Sequence, residues 1–270
     1  MSARRLSMLI LLSPAKNMNF DAVGRDLLAT TPDLIGETRI LSKTTRQLTA
    51  PKIKAMMKIN DDLARLNRER FQAFDADQPG VKQAAFAFNG EVYRGLEAHT
   101  LSAEDLDWAQ SHLRILSGMY GALKPLDAIH PYRLEMGRKL HTRRGESLYD
   151  FWGDRIAKEL NGLQAEAAEP VILNLASNEY FKAVDRKALK GRVITATFKE
   201  EKDGQLRALM VFAKKARGMM ARWAIENRIT DPADLVKFDL GGYRFEAEGS
   251  SEGDLLFTRP QPAAAGKKAA

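Results

Sequence analysis

Short, continuous apolar runs recur along this chain, and each predicts a buried strand. They lie at 8–12 ("MLILL"), 83–88 ("QAAFAF"), 114–117 ("RILS") and 171–177 ("VILNLAS"). Runs of this length, bounded by polar or glycine-containing segments, are typical of strands that are covered on both faces. The run at 114–117 leads into a glycine-rich loop.

Sequence patterns that are typical of helix N-termini lie between these predicted strands. Thr31-Pro32-Asp33 predicts a helix start, with Thr31 as the N-cap and the proline in the first turn. Residues 51–74 predict two short helices or one bent helix with a basic outer surface. Ser102 and Asp105 form the pattern of a capping box, which predicts a helix that ends near His112.

The last part of the chain predicts two hairpins with a helix between them. The first spans 193–213 around Asp203-Gly204, with a connection longer than a tight two-residue turn. The helix covers 211–229, and the second hairpin covers 242–259.

Together these elements predict one mixed domain of the α/β (α+β) class over residues 8–259, with a central sheet and helices on its faces. We interpret residues 1–7 as an N-terminal extension and 260–270 ("PQPAAAGKKAA") as a disordered tail. Neither an internal repeat nor a linker divides the sequence. Met1 and Met8 both remain open as the true start.

Composition narrows the possible chemistry. The chain has no cysteine, which excludes disulfides, thiol catalysis and cysteine-built metal centres. Its histidines are scattered, so we predict no metal site and no cofactor. A net charge of +7 favours an anionic partner. The apolar run near the N-terminus is too short and interrupted for a signal peptide, and no stretch is long enough to span a membrane. We therefore expect a cytoplasmic protein.

Polar residues follow each of the predicted strands. If the strands are parallel neighbours, these residues converge in a crevice at the carboxyl edge of the sheet, which is where ligands bind in open α/β folds. The alternative is that serine and asparagine only cap turns. The predicted crevice comprises Ser13, Lys16, Asn89, Tyr93, Ser117, Tyr120, Glu135, Asn174 and Ser177.

The helix at 211–229 carries the densest basic cluster. A helical projection places Gly218 and Ala221 between its cations, which predicts a shallow groove for phosphates, and it places Trp223 on the core side. The alternative is an ordinary solvated face on which Gly218 permits close helix packing. The cations predicted to bind nucleic acid here are Lys214, Lys215, Arg217 and Arg222.

Two further basic segments complete the predicted nucleic-acid surface. Arg133 and Arg138 lie in a loop-rich segment with interleaved aromatic residues, although Arg133 and Glu135 could equally form a structural ion pair. Lys52, Lys54 and Lys58 lie on the predicted helices at 51–74, where a tight turn between helices could present backbone amides to a phosphate.

Several motifs, in order, resemble one known family. They are "LILLSPAK", "FNGEVYRGL", "LRILSGMYGALKPLDAIHPYRLEMG", "LYDFWGD", "NLASNEYFKAV" and "AKKARGMMARW". The set is similar to the YaaA family of peroxide-stress proteins, and it extends over nearly the whole chain.

The resemblance implies a cytoplasmic protein that helps cells survive hydrogen peroxide by limiting iron-dependent damage. It also implies a single domain with a positively charged cleft, a helix-hairpin-helix-like element and binding to duplex or structured DNA. Here that element would cover 48–74, although the turn glycines usual in such a motif are missing between Gly36 and Gly80.

Three functions follow as hypotheses. The first is a DNA-binding protein that protects DNA and contacts the phosphate backbone without sequence specificity, because few residues suited to reading base edges are evident. The second is an enzyme that acts on a nucleotide or nucleobase in the crevice, although no catalytic set identifies a reaction. The third, direct iron sequestration, is disfavoured by the missing cysteines and the basic surface.

Overall fold

A mixed eight-stranded sheet organises the fold in the computed structural model, which describes residues 6–262. The remaining residues of the predicted extension and tail, 1–5 and 263–270, lie outside the described residues. The strands of this sheet are β1 (Leu6–Leu12), β5 (Leu113–Ser117), β6 (Gly121–Leu123), β8 (Glu169–Leu175), β9 (Arg192–Lys202), β10 (Gln205–Arg207), β11 (Arg244–Glu246) and β12 (Asp254–Pro260).

The strand order is β11-β12-β9-β8-β1-β5-β6, with β10 paired to β9. Strands β12, β9, β8, β1 and β5 run parallel to one another, whereas β6, β10 and β11 are antiparallel to their neighbours. Strand β1 lies inside the sheet between β8 and β5, and residues 8–12 are at most 1% exposed. The carboxyl ends of β1, β5 and β8 therefore lie at the same edge, as the pattern of apolar runs predicts.

Short strands and helices surround this sheet. Two small two-stranded sheets pair β2 (Asn17–Met18) with β4 (Phe88–Asn89) and β3 (Lys82–Gln83) with β7 (Ala128–Ile129). The helices are α1 (Ile35–Thr45), α2 (Ala50–Met57), α3 (Asp61–Ala73), α4 (Ala84–Ala87), α5 (Glu91–Leu96), α6 (Ala103–His112), α7 (Leu148–Trp152), α8 (Arg155–Leu163), α9 (Asn178–Phe181) and α10 (Met210–Glu226), together with 3-10 turns at Ala98–Thr100, Pro232–Lys237 and Leu240–Gly242.

Several predicted elements are confirmed. The segment 51–74 forms two helices, α2 and α3, and the capping box of α6 has both hydrogen bonds between Ser102 and Asp105. The strands at 8–12, 114–117 and 171–177 correspond to β1, β5 and β8. Strand β1 begins at Leu6, two residues before the predicted start, and β12 continues to Pro260.

Three local predictions are wrong. The segment 83–88 forms the helical turn α4 because an alanine-rich alternation satisfies a short helix as well as a strand. Thr31 is not an N-cap: α1 begins at Ile35, and Asp33 instead pairs with Lys124 at 2.5 Å. The β9–β10 connection is a tight two-residue turn, since Asp203 and Gly204 both adopt positive φ.

Helix α10 connects the sheet to the rest of the molecule. It packs against β9, β8 and β1 on one side and against α5 on another. Ala213, Ala216, Met220 and Ala224 recur at helical spacing and are all buried, so this long helix is part of the core despite its cations.

Candidate functional site

A cleft of about 590 Å³ opens beside the carboxyl ends of β1 and β8. The segment that follows β1 forms one wall, the start of α5 forms another, and the first two turns of α10 close the site. Its lining combines charged, hydroxyl and amide side chains, namely Ser13, Lys16, Asn17, Asn89, Glu91, Glu135, Ser177, Asn178, Glu179, Tyr180, Lys214 and Arg217, with Pro14, Ala15, Gly90, Val92 and Met210.

Most of the residues predicted for the crevice meet here. Ser13, Lys16, Asn89, Glu135 and Ser177 all line the cleft. Asn89 reaches it although its segment is not a strand of the main sheet, because β4 pairs with β2 and places it opposite Asn17. The convergence at the strand ends is therefore a real feature of the fold.

The other four predicted crevice residues are buried in the protein and do not line the cleft. The Tyr93 hydroxyl donates to the Ser13 carbonyl at 3.1 Å, and the Tyr120 hydroxyl accepts from the His130 amide at 2.9 Å. Asn174 accepts from the amide of Ala176 at 3.0 Å. Burial raises the pKa of the Tyr93 and Tyr120 hydroxyls well above the usual range, so both side chains remain neutral.

Ser117 is the last of these four. Its hydroxyl oxygen accepts from the amides of Met119 at 3.2 Å and Tyr120 at 2.9 Å, and it also contacts the Tyr132 hydroxyl at 2.6 Å. These bonds hold the glycine-containing turn between β5 and β6. Ser117 has no exposed surface, so its role is to shape the loop.

A direct hydrogen-bonded link joins the two strand ends at the cleft. The Ser177 amide donates to the Ser13 hydroxyl oxygen at 2.8 Å, and the Ser13 hydroxyl donates to the Ser177 hydroxyl oxygen at 3.3 Å. The Ser177 hydroxyl proton is therefore left available to a ligand. Since β1 and β8 are adjacent parallel strands, this pair fixes the floor of the cleft.

Two cations of α10 face the cleft. Lys214 is exposed, whereas Arg217, one turn further on, is half-buried. Within residues 6–262, Arg217 has neither an ion-pair nor a hydrogen-bond partner. Burial lowers the pKa of its guanidinium, and no carboxylate compensates for the burial. A guanidinium that is partly removed from water without a partner is a ready anion contact.

A second cationic group surrounds Glu135, whose side chain is 5% exposed. Arg133 donates to its Oε1 at 2.9 Å, Arg138 donates to its Oε2 at 2.8 Å, and Lys16 approaches Oε1 at 3.4 Å. Burial by itself raises the pKa of Glu135, but the bonds from Arg138 and Arg133 and the charge of Lys16 outweigh it and lower the pKa. A single carboxylate serves three cations, which leaves positive charge in excess.

The charge of the cleft is not uniformly positive. Glu91 and Glu179 also line it, and sequence reasoning missed both. Glu91 pairs with Arg94 at 2.7 Å, and Glu179 accepts from the Gly137 amide at 2.9 Å. The same reasoning missed Asn17, Asn178, Tyr180 and Met210. The position of Asn178 and Glu179 directly after Ser177 was an available signal, whereas Met210 enters through tertiary packing.

Gly218 and Ala221 do not form a phosphate groove, so that prediction is wrong. Both residues are buried, because α5 lies across them. A Cβ added at Gly218 would overlap the carbonyl oxygen of Val92 and come within 2.8 Å of the Leu96 amide nitrogen. The alternative left open by the sequence, that this glycine permits close helix packing, is confirmed. Trp223 packs against Phe238 in the core, as expected.

Arg222 makes structural contacts within the protein. Its guanidinium donates to the carbonyl oxygens of Leu96 at 3.2 Å and Glu97 at 3.1 Å, and to the Thr100 hydroxyl at 2.6 Å. It also pairs with Glu226 at 2.7 Å. Arg222 thereby satisfies the carbonyls at the end of α5, where a helix lacks internal partners. Its predicted neighbour Lys215 is exposed and lies outside the cleft lining.

The remaining predicted cations lie on a separate part of the structure. Lys52 and Lys54 belong to α2, and Lys58 follows it in a left-handed conformation before α3 begins. All three are exposed, and Lys54 pairs with Asp61 at 2.9 Å. The geometry is a helix, a short turn and a second helix, with Asn60 capping α3 through the amide of Leu63.

Comparison with known proteins identifies the family. A family model described as peroxide stress protein YaaA matches residues 8–249. The chain belongs to the YaaA family of peroxide stress proteins. A UPF0246 protein of Caulobacter vibrioides is 55% identical over 255 residues, which cover 94% of this chain and 100% of the relative. A UPF0246 protein of Phenylobacterium zucineum is 52% identical over 255 residues, with coverage of 94% and 96%.

Two further observations concern metal-binding groups and membrane-spanning helices. Within the part of the chain that the structure describes, histidine and acidic side chains form no group of three that could hold a metal ion. In that same part, no helix is both long and apolar enough to cross a bilayer.

Proposed function

We propose that this YaaA-family protein binds the phosphate backbone of DNA, without sequence specificity, as part of the response to hydrogen peroxide. The observation that carries the proposal is Arg217, half-buried in a nucleotide-sized cleft with no carboxylate partner within residues 6–262. Lys214 from the same helix and Lys16 from the opposite wall complete a set of three cations. A phosphate that contacts them would restore the hydrogen bonds that Arg217 has lost from water.

The balance of contacts supports binding to phosphate more than to base edges. Bidentate readers of bases are mainly arginine, asparagine and glutamine placed on a helix or ribbon that fits a groove. Here Arg222, Arg133 and Arg138 bond to protein acceptors, and Asn89 and Asn178 lie in a concave cleft. A net charge of +7 adds a long-range attraction to any nucleic acid.

The helical pair α2–α3 is a second contact in this proposal. Lys52 and Lys58 are exposed and have no acidic partner within the described residues, whereas Asp61 partly neutralises Lys54. Phosphates of a duplex that reaches the cleft could also meet this helix-hairpin-helix-like element. Its role would be to add affinity, because the exposed lysines offer charge without fixed geometry.

Binding to the backbone would also limit iron-dependent damage in the cytoplasm. DNA carries a condensed layer of cations, and protein cations that neutralise phosphates release them. Any ferrous ions in this layer would be released with the other cations, so hydrogen peroxide would meet less iron at the sugar-phosphate chain. Direct storage of iron by this protein is not needed for the effect.

The experiment is a binding titration against duplexes of unrelated sequence. We expect wild-type protein to bind them with similar affinity, and Lys214→Gln with Arg217→Gln to weaken all of them by at least tenfold. Lys215→Gln is the matched control for the single variant Lys214→Gln, because each removes one charge from the same helix and Lys215 lies outside the cleft lining. Equal losses in the control and the cleft variants would contradict the proposed site.

A second candidate, an enzyme acting on a nucleotide or nucleobase, is favoured by one observation. The cleft is concave, has the volume of a small-ligand pocket and contains the available hydroxyl proton of Ser177. A panel of nucleosides and nucleotides tests it by thermal shift and by product analysis. Turnover that is lost in Ser177→Ala would favour the enzyme, whereas neither stabilisation nor turnover would exclude it.

A further inference from the structure

The cleft is the right size for one nucleotide and too small for a duplex. Its volume is about 590 Å³. The major groove of B-DNA alone is about 12 Å wide, so a double helix can only lie across the mouth of such a cavity. A single nucleotide that leaves the duplex, by contrast, falls within the usual size range of ligand pockets, about 300–1,000 Å³. What enters the cleft must therefore be an end or another unpaired unit.

The charges inside the cleft suit one highly charged phosphate. Lys214 and Arg217 have no acidic partners within residues 6–262, and the Glu135 carboxylate is shared by Lys16, Arg133 and Arg138. These cations match a compact anion with more than one negative charge.

The acidic residues of the lining restrict what else can enter. A continuous strand through the cleft would carry successive phosphates past Glu91 and Glu179, which line the same cavity. Each such approach is repulsive, because like charges at close range in a partly enclosed site are weakly screened. One phosphate, at the end of a strand, can contact the cations while the rest of the strand leaves through the mouth.

Chemistry separates a terminal phosphate from an internal one. An internal phosphodiester carries one negative charge. A terminal phosphomonoester carries about 1.5 to 2 negative charges at neutral pH, because its second pKa is about 6, and it offers three strong acceptor oxygens. Lys214, Arg217 and the Ser177 hydroxyl are donors of the types that such oxygens accept.

We infer that the cleft of this protein receives the terminal phosphomonoester of a broken DNA strand. The inference rests on the proposed DNA binding and adds its preferred target. Intact duplex would bind across the cleft mouth and the basic exterior, whereas a strand break would supply a mobile, doubly charged end that can enter. Strand breaks are a product of the radical damage that hydrogen peroxide and iron cause, which places this recognition in the same stress.

The test compares four DNAs of identical sequence. One is an intact duplex, and the others carry a nick that ends in a 5′-phosphate, in a 3′-phosphate, or in hydroxyl groups only. We expect at least one phosphorylated nick to bind tenfold or more tightly than the hydroxyl nick. Lys214→Gln and Arg217→Lys should reduce that ratio to near one, whereas Lys215→Gln should leave both the ratio and the affinity for each DNA near the wild-type values.

Two further measurements identify the source of the phosphate. The preference should shrink as pH falls below about 6, where the monoester loses its second charge and the diester does not change. A free nucleoside monophosphate should compete only at much higher concentration than the nicked DNA. Competition at equal concentration would overturn the assignment to DNA ends in favour of a mononucleotide.

The outcomes separate the two proposals. Equal binding of phosphorylated and hydroxyl nicks, with intact duplex still bound, would overturn the inference and leave the proposed DNA binding in place. If the protein binds none of the four DNAs, both proposals are overturned.

Discussion

Gly218 of α10 lies directly against the carbonyl oxygen of Val92 in α5, with no room for a side chain between the two helices. Gly95 makes the reciprocal approach, since a Cβ there would overlap the carbonyl oxygen of Lys215. Val92 in turn lines the cleft, so this contact fixes the position of one cleft wall relative to Lys214 and Arg217.

Gly218→Ala should therefore be strongly destabilising. We expect the free energy of unfolding to fall by about 3 kcal/mol or more, because the added methyl group meets backbone atoms that cannot rotate away. Chemical denaturation measures the change. Gly162→Ala in α8 is the control: nothing lies within 4 Å of its Cβ position, so it should be neutral or stabilising by up to about 1 kcal/mol. Equal effects of the two substitutions would contradict the close packing.

Arg222→Ala should affect the stability of the folded protein more than its affinity for DNA. Its guanidinium satisfies the carbonyl oxygens at the end of α5, and their loss should lower the free energy of unfolding by about 1–3 kcal/mol. Affinity for DNA, measured at a temperature where the variant is folded, should change less than in Arg217→Gln. A large affinity loss without a stability loss would mean that Arg222 contacts DNA.

Arg217→Gln should affect the affinity for DNA more than the stability of the folded protein. Arg217 is half-buried and unpaired within residues 6–262, so removing its charge relieves desolvation and breaks no ion pair. We expect the melting temperature to stay the same or to rise. A marked drop in the melting temperature would show that the guanidinium has a structural partner and is not reserved for an anion.

Glu135→Gln should destabilise the protein in a pH-dependent way. At pH 7 it leaves Arg133 and Arg138 without their carboxylate, which should cost about 2–4 kcal/mol. The pKa of Glu135 is lowered in the folded state, so its contribution is present above the ordinary value of 4.5 and is lost as pH falls through the folded pKa. The difference in the free energy of unfolding between wild type and variant, measured by denaturation, should be smaller at pH 3 than at pH 7. A difference that is the same at pH 3 as at pH 7 would contradict this role of Glu135.

The parts of the site that could be predicted follow directly from strand direction. Ser13 and Ser177 each end a buried run, and adjacent parallel strands must bring such residues together. The buried stripe of α10 and the capping box of α6 are likewise local patterns. Short alanine-rich segments were not predictable in this way, since 84–87 satisfies a helical turn as readily as a strand.

The roles of individual cations could not be predicted, because they depend on what packs beside α10. Arg217 and Arg222 look equivalent in the sequence, yet α5 ends beside Arg222 and gives it carbonyl partners. Gly218 looked like the floor of a groove for the same reason: a helical projection describes one helix and omits its neighbours. Glu91 and Glu179 were missed because carboxylates are not expected in a phosphate site.

The most direct test of phosphate binding in the cleft is the salt dependence of affinity for an intact duplex, measured by fluorescence anisotropy. If Lys16, Lys214 and Arg217 each neutralise one phosphate of a duplex that lies across the cleft mouth, they should contribute about −2.7 to the slope of log K against log salt concentration. The double variant Lys214→Gln with Arg217→Gln should make the slope shallower by about 1.8, whereas Lys215→Gln should leave it near the wild-type value. A wild-type slope near zero, or a slope that the double variant does not change, would contradict phosphate binding at this site.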